Sequence, residues 1–213
     1  ISLIMKKKIV ITGGLGYIGT ELCKLYSGVS WHHKITVIDN RFVSERVSQI
    51  RNWNMEFIQG DILDKNLIQK HFGDADVIHH LAGVTDVPRT KSESSKFQDE
   101  KIREVGEKGT QNILEVISDK CKIIFPSTHV VYEGIEEVKT EIREDEITKP
   151  VLSYSSSKSI NEDQLKKSGK NYVILRLGSV YGYSTDSMRI DIMPNLFSKI
   201  ASQNGMLKLF AGG

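Results

Sequence analysis

A glycine-rich junction between a strand and a helix constrains this chain more than any other feature. In the segment VITGGLGYIGTELCK, residues 10–24, four glycines separate a β-branched run from a stretch whose apolar residues recur at helical spacing. Gly13, Gly16 and Gly19 are spaced three residues apart, and the segment also satisfies G-x-G-x-x-G. Glycine permits a tight turn there and lets a pyrophosphate approach the main-chain N–H groups at the helix N-terminus. The junction therefore predicts a dinucleotide site.

Strand-like and helical patterns alternate along the rest of the chain. Such alternation predicts right-handed crossovers and a doubly wound α/β fold, a Rossmann-type parallel sheet that helices cover on both faces. The predicted strands are 8–12, 35–39, 55–58, 77–81, 123–125 and 172–177. The predicted helices include 66–72, 109–118 and 157–167, whereas the polar stretches near 89–101 and 132–149 are expected to be surface loop or frayed helix.

Composition narrows the classes of partner. The 213 residues are 39% hydrophobic and 26% charged, which suits one substantial core, and the formal net charge is only +2. Because positive charge concentrates only at residues 6–8, nucleic acid is not an expected partner. No run approaches the roughly 20 apolar residues that span a bilayer, so no membrane partner is expected. Two distant cysteines indicate no disulfide framework, which favours a reducing cytoplasm.

An aspartate at the end of the second predicted strand refines the cofactor. Asp39 follows Gly19 by twenty residues, where a carboxylate can accept hydrogen bonds from the hydroxyls of an adenosine ribose. A carboxylate would repel a 2′-phosphate, so NAD is favoured over NADP. Arg41 leaves the alternative open, since a guanidinium could accommodate that phosphate.

Two side chains on a later predicted helix suggest acid–base chemistry. Tyr154 and Lys158 are four residues apart, so they share one helix face. A free tyrosine titrates near 10, and a neighbouring ammonium favours the phenolate. The spacing therefore predicts that Lys158 lowers the pKa of Tyr154. Thr128, after the strand-like KIIFPS, would lie at the carboxyl edge of the sheet and could orient a substrate oxygen, with Ser127 as an adjacent competitor.

These motifs resemble those of the extended short-chain dehydrogenase/reductases, the NAD-dependent epimerase/dehydratase family of nucleotide-sugar enzymes. The resemblance covers nearly the whole chain in the order that is usual for the family. Its segments are TGGLGYIG (12–19), VIDN (37–40), GDI (60–62), HLAG (80–83), PSTHVVY (126–132), YSSSK (154–158) and LRLGSVYG (175–182).

The resemblance implies NAD as the cofactor and a nucleotide sugar as the substrate. It assigns catalysis to Thr128, Tyr154 and Lys158. The residues that it places at the cofactor are Gly13, Gly16, Tyr17, Ile18, Gly19, Asp39, Asn40, Asp61, Ile62, Leu81, Ala82, Gly83, Tyr154 and Lys158. The implied reaction is loss of a sugar hydroxyl proton to Tyr154 with hydride transfer from the same carbon to NAD. Return of the hydride to the opposite face would make the protein an epimerase.

Departures from the family pattern keep other activities open. Dehydratases of the family usually carry an acidic pair after the catalytic threonine, where this chain has His129 and Val130. Gly106 and Ser179 replace two asparagines that are common in the family. A dehydratase, decarboxylase or reductase therefore remains an alternative, as does an NAD-binding regulatory protein.

The remaining expectations concern metals, domains and assembly. The adjacent pairs His32–His33 and His79–His80 lack further ligands at suitable spacing, so no metal site is predicted. We expect residues 1–182 to form the NAD-binding domain with the catalytic triad and residues 183–213 to begin a substrate-binding region of which most is missing. The resemblance implies a homodimer formed through the helices near 109–118 and 157–167.

Overall fold

A six-stranded parallel sheet organises the described part of the chain. The computed structural model describes residues 5–85, 94–185 and 187–208. The strands are β1 (Lys8–Thr12), β2 (Lys34–Asp39), β3 (Glu56–Gln59), β4 (Val77–His80), β5 (Lys122–Thr128) and β6 (Asn171–Leu177). The helices are α1 (Tyr17–Ser27), α2 (Ser44–Asn52), α3 (Lys65–Phe72), α4 (Lys96–Arg103), α5 (Gly109–Val116), α6 (Ser153–Lys167) and α7 (Met193–Ser202). A π-helical turn (Glu104–Lys108) joins α4 to α5, and a 3₁₀ turn (His129–Tyr132) follows β5.

The strand order confirms the predicted doubly wound fold. The order is β3-β2-β1-β4-β5-β6, and every neighbouring pair is parallel. The direction of winding reverses between β1 and β4, and in open α/β sheets ligands bind outside the carboxyl ends of the strands at this switch point. The glycine-rich loop after β1 lies there.

Alternate side chains of a strand point to opposite sides of the sheet, and strands β1, β2 and β4 are buried on both faces, whereas much of β6 is exposed. Val10 of β1 belongs to one apolar cluster with residues of α3, α5 and α6. Its neighbours Ile9 and Ile11 belong to a second cluster with residues of α1 and α2. The near-continuous apolar strands in the sequence are explained by this double coverage.

Several element boundaries differ from the sequence-based expectations. The helix α6 begins at Ser153 rather than 157, and Glu133 Oε1 accepts the N–H groups of Val151 and Leu152, each at 2.7 Å. These donors precede the helix, and their acceptor lies in a distant loop. The earlier start places Tyr154 in the first turn of α6. Helices α2 and α7 were not predicted, and α4 forms within a stretch expected to be loop or frayed helix.

Candidate active site

The glycine loop brings two main-chain segments into close contact. Gly13 has a φ of +67°, and a Cβ placed there would lie 2.8 Å from the nitrogen of Ala82. A Cβ on Gly19 would overlap the Gly13 carbonyl oxygen. Gly16 is the N-cap of α1 and provides no side-chain cap, so the main-chain N–H groups at this helix N-terminus are available to a ligand in the adjoining cavity. Two of the glycines are thus required by main-chain packing, and the third exposes donors suited to an anion.

Asp39 has a fixed orientation at the end of β2. Its Oδ2 accepts the Leu15 N–H at 3.0 Å, and its Oδ1 accepts the Arg41 N–H at 3.0 Å and Arg41 Nε at 3.4 Å. The Asp39 side chain is buried, whereas that of Arg41 is mostly exposed. A carboxylate has about four acceptor positions, so these three donors leave room for a further hydrogen bond.

One cavity of about 490 Å³ collects the residues predicted from sequence. Its wall includes every residue that the resemblance placed at the cofactor, together with Thr128. The volume lies within the range usual for small-molecule and cofactor sites. Leu177, Gly178 and Val180 of the LRLGSVYG segment also line the wall. Arg189 and Ile192, to which no motif pointed, complete it on the side of the C-terminal segment.

The Lys158 side chain reaches back from α6 to the end of β5. Its Nζ donates to the carbonyl oxygen of Pro126 at 2.8 Å and lies 4.3 Å from the centre of the Phe125 ring. The distance from Nζ to the centre of the Tyr154 ring is 5.9 Å. Burial lowers the pKa of Lys158 to about 8, and the Glu162 carboxylate opposes that shift. The ammonium is thus held between the strand and the tyrosine.

The pKa of Tyr154 does not follow the sequence-based prediction. Burial raises the pKa of the phenol above its usual value of 10.0, and the charge that opposes the shift belongs to Arg189 rather than to Lys158. The prediction that Lys158 brings about a net lowering is therefore wrong for this arrangement, since desolvation outweighs the nearby charges. Arg189 is a site residue that sequence reasoning missed, because it lies in a segment without a recognisable motif.

The structure separates the roles of the two hydroxyl groups after Pro126. Ser127 Oγ donates to Glu162 Oε1 at 2.6 Å, and Glu162 in turn pairs with Arg176 at 2.6 Å, so this hydroxyl belongs to a buried polar network. Among the residues that the structure describes, Thr128 Oγ1 has one hydrogen bond, in which it accepts the Val130 N–H at 3.3 Å as N-cap of the 3₁₀ turn. That bond leaves the hydroxyl hydrogen of Thr128 available to a ligand, which favours Thr128 over Ser127.

A buried histidine stabilises the loop on the opposite wall. His80 is 1% exposed, and its Nε2 lies 3.0 Å from Thr110 Oγ1. Its Nδ1 lies 3.0 Å from Thr12 Oγ1, which also accepts the Ala82 N–H at 3.1 Å. The network thereby connects β1, β4 and α5 to the main chain at Ala82. The HLAG segment was the signal in the sequence, although it did not reveal this contact.

The departures from the family pattern have local structural explanations. Gly106 lies in the π-helical turn, and a Cβ there would lie 2.5 Å from Ser157 Oγ, so the Ser157 side chain of α6 fills the space that a larger residue would need. Ser179 is exposed and does not contribute to the cavity wall. His129 is also outside this wall, and its Nδ1 lies 3.1 Å from the Leu177 carbonyl oxygen.

Metal-binding clusters and membrane-spanning helices are both absent from residues 5–85, 94–185 and 187–208. Within those ranges, no three or more His, Cys, Asp or Glu side chains are grouped so that they could hold a metal ion. Over the same residues, no helix combines the length and apolarity needed to cross a membrane.

The fold and the cavity define a Rossmann-type dinucleotide-binding unit with tyrosine, lysine and threonine side chains at one wall. The sequence pattern of the NAD dependent epimerase/dehydratase family matches residues 9–213. The chain belongs to this family, whose cofactor is NAD.

Similar proteins carry several activities on related chains. The chain is 35% identical over 130 residues to a UDP-N-acetyl-alpha-D-glucosaminuronate decarboxylase of Bacillus cytotoxicus, covering 60% of this chain and 38% of that protein. It is 32% identical over 205 residues to the CDP-paratose 2-epimerase of Salmonella typhi, a match that covers 82% of this chain and 58% of that protein. A UDP-glucuronic acid 4-epimerase from Bacillus cereus, solved with UDP-glucuronic acid and NAD, superposes with a TM-score of 0.72 at 26% identity.

This chain matches only part of the length of each relative. The match to the Bacillus cereus structure covers 95% of this chain and 65% of that one. The chain therefore spans less than two thirds of each of these three relatives.

Proposed function

We propose that this protein is an NAD-dependent nucleotide-sugar epimerase. The observation that most supports this proposal is that one cavity is lined by two sets of residues. The glycine loop and Asp39 form one set, and Tyr154, Lys158 and Thr128 form the other. Family membership and the similarity to two epimerases support the same reaction class. NAD would supply the hydride acceptor.

The residues of the wall fit NAD by their chemistry. The uncapped N-terminus of α1 at Gly16 suits the pyrophosphate, and the Asp39 carboxylate suits the hydroxyls of the adenosine ribose. A Cβ placed on Gly83 would meet no atom within 4 Å, so a ligand can approach the main chain closely there. Lys158, with its Nζ between Pro126 and Tyr154, would also donate a hydrogen bond to the nicotinamide ribose of NAD.

Tyr154 would exchange a proton with the sugar hydroxyl. In the forward step the O–H bond of the sugar would break and its proton would move to the phenolate oxygen of Tyr154, while the carbon would give up its hydride to the NAD that the cavity would hold as the carbonyl forms. Thr128 would donate to the same sugar oxygen and orient it. Arg189 would stabilise the phenolate, which offsets part of the desolvation that raises the pKa of Tyr154. Return of the hydride to the other face would then invert the carbon.

A dehydratase is the first alternative. Eliminating water needs an additional acid and base near the sugar, and the residues after Thr128 are His129, which contacts the Leu177 carbonyl, and Val130. The geometry gives this activity less support. A decarboxylase is favoured by the 35% identity to the Bacillus cytotoxicus enzyme, and it requires the same initial oxidation.

Product analysis separates these reactions. The protein is incubated with NAD and a panel of UDP-, dTDP- and CDP-sugars, including UDP-glucuronic acid, and NMR follows inversion, water loss and carbon dioxide loss. We expect one sugar to give its epimer with no net accumulation of NADH. A product lacking water or carbon dioxide would replace the epimerase proposal with the corresponding alternative, and turnover unaffected by His129→Ala would argue against elimination.

The proposed assembly is a homodimer formed through α5 and α6. The proposed division of the chain is a cofactor domain over 1–182 and the start of a substrate region over 183–213. Sedimentation of a dilute sample as a monomer would contradict the proposed dimer. NAD affinity retained by a chain ending at 182 would support the proposed division.

A further inference from the structure

Asn195 connects the glycine loop, which the proposed function assigns to NAD, with the loop before α7, which it assigns to the sugar. It lies in α7 and is only 3% exposed. Its Oδ1 accepts the Gly182 N–H at 3.0 Å, and its Nδ2 donates to the Arg189 carbonyl oxygen at 2.8 Å. The described residues of the loop between β6 and α7 are thus fastened at two points to one side chain.

The same amide reaches the cofactor side of the cavity. Asn195 Nδ2 also donates to Tyr17 Oη at 3.3 Å, and the Tyr17 hydroxyl donates to the Gly182 carbonyl oxygen. Tyr17 is the first residue of α1 and lines the cavity directly after the glycine N-cap. Asn195, Tyr17 and Gly182 therefore form a closed set of hydrogen bonds between the glycine loop and the loop before α7.

The amide is fixed in one orientation by these contacts. A buried side-chain amide has two N–H hydrogens and one carbonyl oxygen to satisfy, and here both hydrogens and the oxygen have partners. Gly182 has a φ of +136°, a conformation that favours glycine, so the loop turns sharply at the point where Asn195 holds it.

The loop presents side chains to the catalytic tyrosine. Val180, Arg189 and Ile192 line the same cavity as Tyr154. The Arg189 charge lowers the pKa of Tyr154 against the effect of burial, so the position of the loop bears on the proton-transfer group.

We propose that Asn195 is a positioning residue that couples NAD binding at Tyr17 to the order of the loop carrying Gly182 and Arg189. NAD bound at the N-terminus of α1 would restrain Tyr17, and the hydrogen bonds of Tyr17 and Asn195 would pass that restraint to the loop. The loop would then hold Arg189 at the side of the cavity that receives the sugar. This last step rests on the proposed function, whereas the coupling itself concerns only NAD and the loop.

Hydrogen exchange detects the coupling without any sugar. Amide exchange of the peptides covering 178–192 is measured by mass spectrometry with and without saturating NAD, while calorimetry gives the NAD affinity. We expect NAD to slow exchange at Gly182 and its neighbours by about fivefold or more in the wild type. In Asn195→Ala that protection should fall below about twofold, with the NAD dissociation constant changed by less than about threefold.

Ser198→Ala is the matched control, because Ser198 lies on the same helix and, within the described part of the chain, its hydroxyl makes just a local bond to the Pro194 carbonyl oxygen at 2.8 Å. It should retain the full NAD-dependent protection. Tyr17→Phe tests the connection from its other end if Asn195→Ala does not fold, and at saturating NAD it should lose the same protection.

The outcomes distinguish the coupling from the proposed function. Wild-type protein that binds NAD without protecting the loop would overturn the coupling alone. Unchanged NAD-dependent protection in Asn195→Ala or Tyr17→Phe would also overturn it. Wild-type protein that fails to bind NAD would overturn both the coupling and the proposed function.

Discussion

His80 Nδ1 and Thr12 Oγ1 lie 3.0 Å apart in the buried space between β4 and β1. Thr12 Oγ1 also accepts the Ala82 N–H, and the other ring nitrogen, Nε2, lies 3.0 Å from Thr110 Oγ1, so both nitrogens of the buried ring face threonine hydroxyl groups. Burial, and secondarily the charge of Lys158, lower the pKa of His80 to about 3.

Stability should therefore fall on acidification through the unfolded pKa of His80. The unfolded histidine takes up a proton near pH 6.5 and the folded one does so only near pH 3, so the stabilisation is complete above 6.5 and is lost as the pH falls. From the two pKa values, the wild type should lose about 2 kcal/mol more than His80→Gln between pH 7 and pH 5. Urea unfolding at both pH values measures this difference, and parallel pH profiles for the two proteins would refute it.

Gly13→Ala should disrupt the cofactor loop. The substitution forces a positive φ on alanine and directs a Cβ at the main chain of Ala82, so we expect a loss of more than about 2 kcal/mol in the free energy of unfolding. Gly28→Ala is the control, because Gly28 ends α1 with a φ of −66° and a Cβ there meets nothing closer than 4.0 Å. Denaturant unfolding and NAD titration compare the two, and equal stability would show that the loop tolerates the side chain.

Asp39 should make NAD bind more tightly than NADP. Its carboxylate is buried and held by main-chain N–H groups, so it cannot turn away from a 2′-phosphate. Asp39→Asn removes the negative charge and should reduce the ratio of NAD affinity to NADP affinity by about tenfold or more. Arg41→Ala tests the alternative in the same titrations. If the wild type prefers NADP and loses that preference in Arg41→Ala, the guanidinium rather than the carboxylate selects the cofactor.

Tyr154→Phe should reduce turnover by about 10²- to 10⁴-fold, the usual contribution of a general acid or base. Only the phenolic oxygen is lost, so NAD affinity should change little. Tyr172→Phe, at an exposed tyrosine in β6, is the matched control and should keep both properties. Steady-state rates and NAD calorimetry on both variants measure the effect, and substantial activity in Tyr154→Phe would mean that another group transfers the proton.

The sequence predicted features that depend on local patterns. The glycine loop, the buried strands and the position of Asp39 follow from residue types within short windows, and the strand order then brings them to one edge of the sheet. Glu133 accepts main-chain N–H groups just before α6, and Asn195 fastens the loop before α7. They act across 18 and 13 residues of chain respectively. Their roles depend on tertiary contacts that no local pattern encodes.

The charge environment of the site was the other part that sequence could not provide. The i, i+4 spacing placed Lys158 beside Tyr154 correctly, yet it gave no information on desolvation, which raises the pKa of the phenol. Nor did the spacing reveal that Lys158 donates to Pro126 or that Arg189 approaches from a later segment. Burial and long-range contacts decide these quantities, and both are properties of the assembled fold.

In the proposed reaction, Tyr154 would take a hydroxyl proton while NAD would take and return the hydride of the same carbon. It is tested most directly with a nucleotide sugar deuterated at the carbon that inverts, incubated with the protein and NAD in ordinary water and analysed by NMR. We predict an epimer that keeps its deuterium at the inverted carbon, because the hydride never exchanges with solvent. An epimer whose deuterium has been replaced by hydrogen from water would contradict the account, since the carbon would then have lost a proton instead of a hydride.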